Sequence, residues 1–166
     1  MHGVLPLKGD WYAPAVAVEK LLRDRANRGV FRSFAAARVR GRLECSLVWL
    51  KERPVRVVFD PKRGTLVFKD LLPNLVLGSA LYRDLKRFLR ERSDAGLPEH
   101  RRVDPERLKV RSTNRKGSVS VAIESLDGEW DYLVTKGLRL VNEIFLGFLR
   151  GPYYGYMVEN FQEPED

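Results

Sequence analysis

The stretch that decides the fold is residues 34–50, FAAARVRGRLECSLVWL. Val39, Gly41, Leu43, Cys45, Leu47 and Trp49 fall on one phase of a two-residue period, and Arg38, Arg40, Arg42, Glu44 and Ser46 fall on the other. A period of two belongs to a strand with one face in a core and the other outside it. The spacing predicts one long strand whose outer face carries three arginines in a row, Arg38, Arg40 and Arg42.

Two shorter strands are expected downstream. Lys51-Glu52-Arg53-Pro54 reads as a turn, after which Val55, Val57 and Phe59 alternate with Arg56 and Val58. Asp60-Pro61-Lys62-Arg63-Gly64 is a stronger turn signal, because proline presets φ and glycine accepts a positive one. Residues 65–69 then close a three-stranded antiparallel meander. Residues 71–78, LLPNLVLG, form an apolar connection expected to lie against the body. A second meander is expected from the alternation at Leu108 and Val110, at Val119, Val121 and Ile123, and at Trp130, Tyr132 and Val134. Its turns fall at Asn114-Arg115-Lys116-Gly117 and Asp127-Gly128.

Three helices frame these strands. Val18, Leu21 and Leu22 give a helical stripe over residues 15–26, with Pro14 in a first turn that tolerates it and Asn27 and Gly29 as the stop. Ser79 is an N-cap for a helix reaching about Arg92, with Leu81, Leu85, Phe88 and Leu89 on its apolar side. Residues 93–106 read as a loop. The last helix, residues 138–149, has Val141, Ile144, Phe145 and Phe148 in its stripe. Leu138, Leu140, Leu146 and Leu149 widen that stripe, which suits a core or a subunit interface. In the tail the aromatic part is expected to pack and the acidic end to fray. The class is α+β, in the order α-βββ-α-βββ-α, with antiparallel meanders packed against helices. Residues 1–14 form an irregular arm, 15–150 a single domain and 151–166 a partly packed tail. TLVFKDLL at residues 65–72 echoes YLVTKGLR at 132–139, which suggests a pseudo-repeat with a strand-to-helix junction at each site.

Charge supplies the functional lead. Lys and Arg number 30 against 22 Asp and Glu, a net charge of +8. Such a balance favours nucleic acid, an acidic protein or an anionic surface as partner. Arg107, Lys109 and Arg111 repeat the alternation of Arg38, Arg40 and Arg42, and Arg56 extends it. If helices cover one face of a sheet, these side chains form a positive surface on the other, attractive to phosphate whatever the base sequence. The plainer alternative is a set of solvated outer positions, paired in part with Glu44 and Glu124. Trp49, Phe59, Trp130 and Tyr132 fall in the apolar phase and read as core, which leaves no base-stacking platform.

Catalytic patterns are absent from the sequence. His2 and His100 are the two histidines, and neither stands at metal-ligand spacing with a second ligand. Cys45, the single cysteine, precludes an intramolecular disulfide, and its apolar phase marks it as a small buried hydrophobe. No glycine-rich phosphate loop occurs, and Asp127, Glu129 and Asp131 read as a polar turn. No catalytic, cofactor-binding or metal-binding residue is expected, and so no enzyme. No apolar run reaches the length of a membrane span, and the N-terminus lacks the layout of a secretory signal, so a cytoplasmic location is expected.

The order α-βββ-α followed by further strands and a third helix resembles the fold of type III secretion chaperone-like proteins, including the YbjN-like family, over residues 15–149. The resemblance implies a non-enzymatic, often dimeric protein that binds other proteins, and it carries over no site residues. Two functions are expected. The first is a non-catalytic adaptor that binds a partner protein and forms a homodimer through one of its apolar helices. The alternative is a nucleic-acid-binding domain that uses the arginine-rich strand faces.

Overall fold

The chain reverses direction in the middle of the decisive stretch. Arg40 and Gly41 have φ of 53° and 77° in the computed structural model, and two consecutive left-handed residues make the tight turn of a two-residue hairpin. The structure describes residues 4–50 and 53–161, with the side chains of 4–12, Trp49 and Leu50 beyond the description. The expectations for His2, for Lys51 and Glu52, for the Trp49 side chain and for the end of the tail lie outside the described residues.

The single long strand is therefore corrected to two, β1 (Arg32–Val39) and β2 (Arg42–Leu50). Val39 pairs with Arg42, Arg38 with Leu43, Ala36 with Cys45 and Phe34 with Leu47. Cross-strand partners share a face. The phase read on β2 is right, since Leu43, Cys45 and Leu47 are buried. On β1 it is inverted, because a two-residue turn exchanges odd and even positions. Arg38 joins Leu43 on the core side while Arg42 stands on the other, with Arg40 in the turn between them.

Strands β3 (Arg53–Asp60), β4 (Thr65–Leu72), β5 (Leu108–Arg115) and β6 (Ser118–Ser125) complete a six-stranded sheet ordered β1-β2-β3-β4-β6-β5, with every neighbouring pair antiparallel. The helices are α1 (Val4–Asn27), α2 (Ala80–Glu91), α3 (Trp130–Glu143) and α4 (Tyr154–Asn160), and Ile144–Leu149 continues α3 as a π-helical turn. The class is α+β.

Three details of the expected order change. The strand read at Trp130, Tyr132 and Val134 is the start of α3. Leu133, Val134, Gly137, Leu138 and Val141 are its buried stripe, spaced for a helix, and Asp131 in its first turn suits the positive end of the helix dipole. The echo fails for the same reason, because residues 65–72 are strand and 132–139 are helix. Helix α1 starts at Val4 rather than near residue 15, so Pro14 sits inside it and most of the expected arm is helical. Pro6 lies in its first turn, where a missing N–H costs nothing.

The helices gather on one face of the sheet. Helix α1 contacts β1, β2 and β3, and α3 contacts β4 and β6. Gly137 lets α3 lie close: a Cβ there would meet the Ile123 side chain at 3.1 Å and Leu66 at 3.4 Å. Helix α2 begins at the Ser79 cap, whose hydroxyl accepts from the Tyr82 N–H, and lies against β5. There the Tyr82 hydroxyl is 3.1 Å from that of Ser112. Leu138, Leu140, Val141, Ile144, Phe145 and Leu149 are buried, so most of the widened stripe serves the core, whereas Phe148 is half-buried and Leu146 is exposed. Met157 and Phe161 pack into the same core, as expected for the aromatic tail. The loop at residues 93–106 is held by charge: Arg92 donates to Glu143 at 3.0 Å and Arg101 donates to the other oxygen of Glu143 at 3.1 Å.

Candidate nucleic-acid interface

The second face of the sheet carries no helix among the described residues, and its side chains stand in cross-strand rows. One row runs Ala35, Ser46, Arg56 and Lys69. The next runs Ala37, Glu44, Val58, Val67, Ala122 and Arg111. A third runs Asp60, Thr65, Glu124 and Lys109, with Arg42 reaching Asp60 at 3.5 Å. Arg115 lies further along β5, in the phase of Lys109 and Arg111. The row pattern follows from alternation along β2, β3, β5 and β6, in which Leu43, Cys45 and Leu47, Val55, Val57 and Phe59, Leu108 and Val110, and Val119, Val121 and Ile123 hold the core phase.

Acidic residues punctuate this face. Arg56 is 3.9 Å from Glu44 and Arg111 is 3.4 Å from Glu124. Asp60 receives Arg42 and, at 3.9 Å, Arg63 from the β3–β4 turn. Asp70 accepts the Ser118 hydroxyl at 2.7 Å. The cations of these ion pairs are solvent-exposed, and each pair contributes little to stability, about 0–1 kcal/mol. They hold the guanidinium groups in place across the sheet while leaving an excess of cations. Between Arg42, Arg56, Asp60 and Lys69 lies a shallow depression of about 350 Å³ floored by Val58 and Val67.

Four of the seven residues expected to form the basic surface thus come together: Arg42, Arg56, Lys109 and Arg111. Arg38 is on the helix side, where Glu19 of α1 receives it at 3.2 Å. Arg40 is at the hairpin tip. Arg107 precedes β5, lies over the Tyr132 ring at 3.7 Å and donates to Asp127 at 2.7 Å. That hydrogen bond holds the Asp127 carboxyl below its ordinary range. Lys69 and Arg115 also belong to the face, although the sequence reading does not single them out. Lys69 carries a usable signal, two residues beyond Val67 in the outer phase of β4.

Elsewhere the chemistry points inward. Burial, reinforced by Glu19 and opposed by Arg23, pushes the Cys45 thiol up to about 12, so it stays protonated and is a poor nucleophile. Burial also lowers Lys136, whose ammonium donates to the Glu99 carbonyl at 2.8 Å. Among the described residues no group of His, Cys, Asp and Glu could hold a metal ion. A groove of about 840 Å³ between α1 and the start of α3 mixes Lys20 and Arg23 with Asp24, Glu129 and Asp131. A groove of about 540 Å³ holds Arg25, Arg28 and Arg139, but Arg25 is bound to Thr135 at 2.6 Å and Arg28 to Asp24 at 2.9 Å. Among the described residues no helix is long and apolar enough to cross a membrane. No protein-family model, curated protein or solved structure matches this chain.

Proposed function

We propose that this protein is a non-enzymatic binding module whose helix-free sheet face takes the sugar–phosphate backbone of a nucleic acid. One observation carries the reading. Arg42, Arg56, Lys69, Lys109, Arg111 and Arg115 stand on one uncovered face, spread from β2 to β5, and outnumber the acids between them. Four strand spacings make that field roughly 19 Å wide. A rigid array of this breadth engages several phosphates together, and each neutralised phosphate releases counterions. The aromatic rings on the strands, Phe34, Phe59 and Phe68 among the described residues, belong to the helix side. Phosphate neutralisation rather than stacking therefore sets affinity, and sequence preference is weak. A cytoplasmic location goes with this reading.

The test is fluorescence anisotropy with labelled duplex and single-stranded oligonucleotides across a salt series. With about four phosphates engaged, a fourfold rise in salt weakens binding roughly a hundredfold. The variant Arg56→Glu/Lys69→Glu/Arg111→Glu loses binding, whereas Arg83→Glu/Lys86→Glu/Arg87→Glu on the outer side of α2 keeps most of it. Equal loss in the two variants means generic charge attraction and sinks the assignment to this face.

A protein partner is the second reading, and the edge strand β1 favours it. Its residues are mostly exposed, and its one strand neighbour among the described residues is β2. Such an edge is a template for strand addition.

A further inference from the structure

Edge strands are normally guarded by charge, proline, a bulge or a covering element. At the far edge, β5 carries Lys109, Arg111 and Arg115 and has α2 against it, as β1 has α1. Strand β1 has a bulge at its start, where Ser33 has a φ of 52°, and then Phe34-Ala35-Ala36-Ala37-Arg38-Val39 runs regularly against β2.

The turn fixes which backbone groups point away from β2. In a two-residue hairpin the flanking residues, here Val39 and Arg42, form a hydrogen-bonded pair. Bonded and non-bonded positions alternate along the strand, so Val39, Ala37 and Ala35 address β2. The amide and carbonyl of Ala36 address the outer side, and Phe34 and Arg38 share that phase. The same three residues are those whose side chains face the helices, since they pair with Leu47, Cys45 and Leu43.

These two facts restrict the symmetric pairings to registers that set Phe34, Ala36 and Arg38 against one another. Two copies that keep their helices on one side of a shared sheet must pair residues of like face. They must also pair residues whose backbone groups point outward. An antiparallel register centred on Ala36 satisfies both conditions. Ala36 meets its own counterpart, and Phe34 meets Arg38 of the second copy. Phe34 and Arg38 each already have a partner in α1, the Arg23 guanidinium 4.9 Å from the ring centre and Glu19 at 3.2 Å, so both side chains are held on the helix side of the seam. Ala35 meets Ala37 of the second copy in the non-hydrogen-bonded position. There strands approach to about 4.5 Å and small side chains fit without displacement.

We infer that β1 is a homotypic docking edge. Two copies join antiparallel through β1, centred on Ala36, doubling the six-stranded sheet and merging the two helix-free faces. The interface is independent of what that face binds.

Sedimentation of the full chain at micromolar concentration tests it. The wild type runs at twice the 19.1 kDa chain mass. Ala35 and Ala37 are on the helix-free face, so charges there leave the core alone. Ala35→Glu/Ala37→Glu sets like charges against each other in both close pairs and halves the mass. Ala35→Lys/Ala37→Glu sets opposite charges there and restores the dimer. In a Cys45→Ala background, which removes the thiol that faces position 36 across β2, Ala36→Cys crosslinks two copies on mild oxidation, because a hydrogen-bonded pair sits about 5.5 Å apart, within disulfide range. Ala37→Cys does not. A wild-type chain at monomer mass, a dimer that survives the double glutamate change, or crosslinking through position 37 in place of 36 overturns the inference.

Discussion

Strands β1 and β5 end the sheet on opposite sides, and each meets its hairpin partner through a basic residue followed by glycine. Arg40-Gly41 and Lys116-Gly117 have nearly the same backbone, with φ of 53° and 77° in one and 53° and 90° in the other. Around these matching turns the edges differ. At the end of β5, Asn114 accepts from the Gly117 N–H at 2.9 Å and donates to the Leu75 carbonyl at 2.8 Å, so the turn is fastened to the body. Before β5, the incoming loop is pinned by Arg92 and Arg101 on Glu143. Strand β1 has a salt bridge from Arg38 to α1 and a run of alanines. The same turn chemistry thus closes one edge fastened at its turn and incoming loop and another held through α1.

The largest expected effect is on the β5 side. Glu143→Ala leaves Arg92, a buried arginine, without its carboxylate, and removing one partner of a buried pair costs about 3–5 kcal/mol. Urea denaturation gives the loss directly. A loss below about 1 kcal/mol, the range of exposed pairs, would mean that the loop is not anchored there and that the two edges are alike.

The next pair of variants tests the inverted phase of β1. Leu43→Ala, at a site with no exposure, costs about 2–5 kcal/mol. Val39→Ala costs about 0.5 kcal/mol, since Val39 is an exposed residue on the helix-free side. One unbroken strand would put Val39 and Leu43 on the same face, and the two losses would be comparable. Cys45 offers a chemical check of the face that Leu43 occupies. Its folded pKa of about 12 lies above the ordinary value of 9.0. Below pH 9 both states keep the proton and the contribution is complete. Between 9 and 12 the unfolded thiol ionises first, the folded state holds more protons, and stability falls as pH rises. Cys45→Ala removes that part of the slope, measured as the difference between wild-type and variant stability over this range. A slope that is the same in the two proteins places the thiol in water.

Smaller effects are expected at the turns. Gly41→Ala and Gly117→Ala each put a side chain into the left-handed region, at about 1 kcal/mol. Space does not distinguish them, because a Cβ at Gly41 meets nothing within 4 Å and one at Gly117 meets Leu75 at an ordinary 3.6 Å. Equal losses on thermal melting bear out the matching geometry. A much larger loss at Gly117 would show that the fastening to Leu75 leaves no room to relax.

The hairpins also show why one half of the sheet is legible in the sequence and the other is not. In the β5–β6 hairpin, polar Asn114 interrupts the alternation and announces the turn. In the first hairpin, Val39-Arg40-Gly41-Arg42-Leu43 carries the alternation straight through, and Ala35-Ala36-Ala37 has no polar contrast to reveal that the phase has flipped. A pattern of period two cannot register a turn of two residues. Trp130, Tyr132 and Val134 mislead in the opposite way. They are three alternating residues of strand-favouring type at the head of a helix, whose stripe becomes clear only when Leu133, Gly137 and Val141 are included. On the candidate face, Arg56, Lys109 and Arg111 are legible because they flank Val55 and Val57 in β3 and Leu108 and Val110 in β5, which mark the apolar phase. Arg38 is misplaced together with its strand.

The smallest expected effect separates the two roles a surface arginine can have. Arg111 sits on the outermost strand, 3.4 Å from Glu124 and half exposed. As an exposed ion pair it contributes within about 0.5 kcal/mol, so Arg111→Ala leaves the denaturation midpoint nearly unchanged. The guanidinium still stands at one end of the cross-strand row that begins at Ala37 and passes through Glu44, Val58, Val67 and Ala122. If the face binds phosphate, the same change lowers affinity and reduces the salt slope by about 1, as expected when one fewer phosphate is neutralised. Unchanged stability with unchanged binding would make Arg111 a solvated outer residue. It would also shift the working surface toward Arg42, Arg56 and Lys69, on the side of the sheet nearest β1.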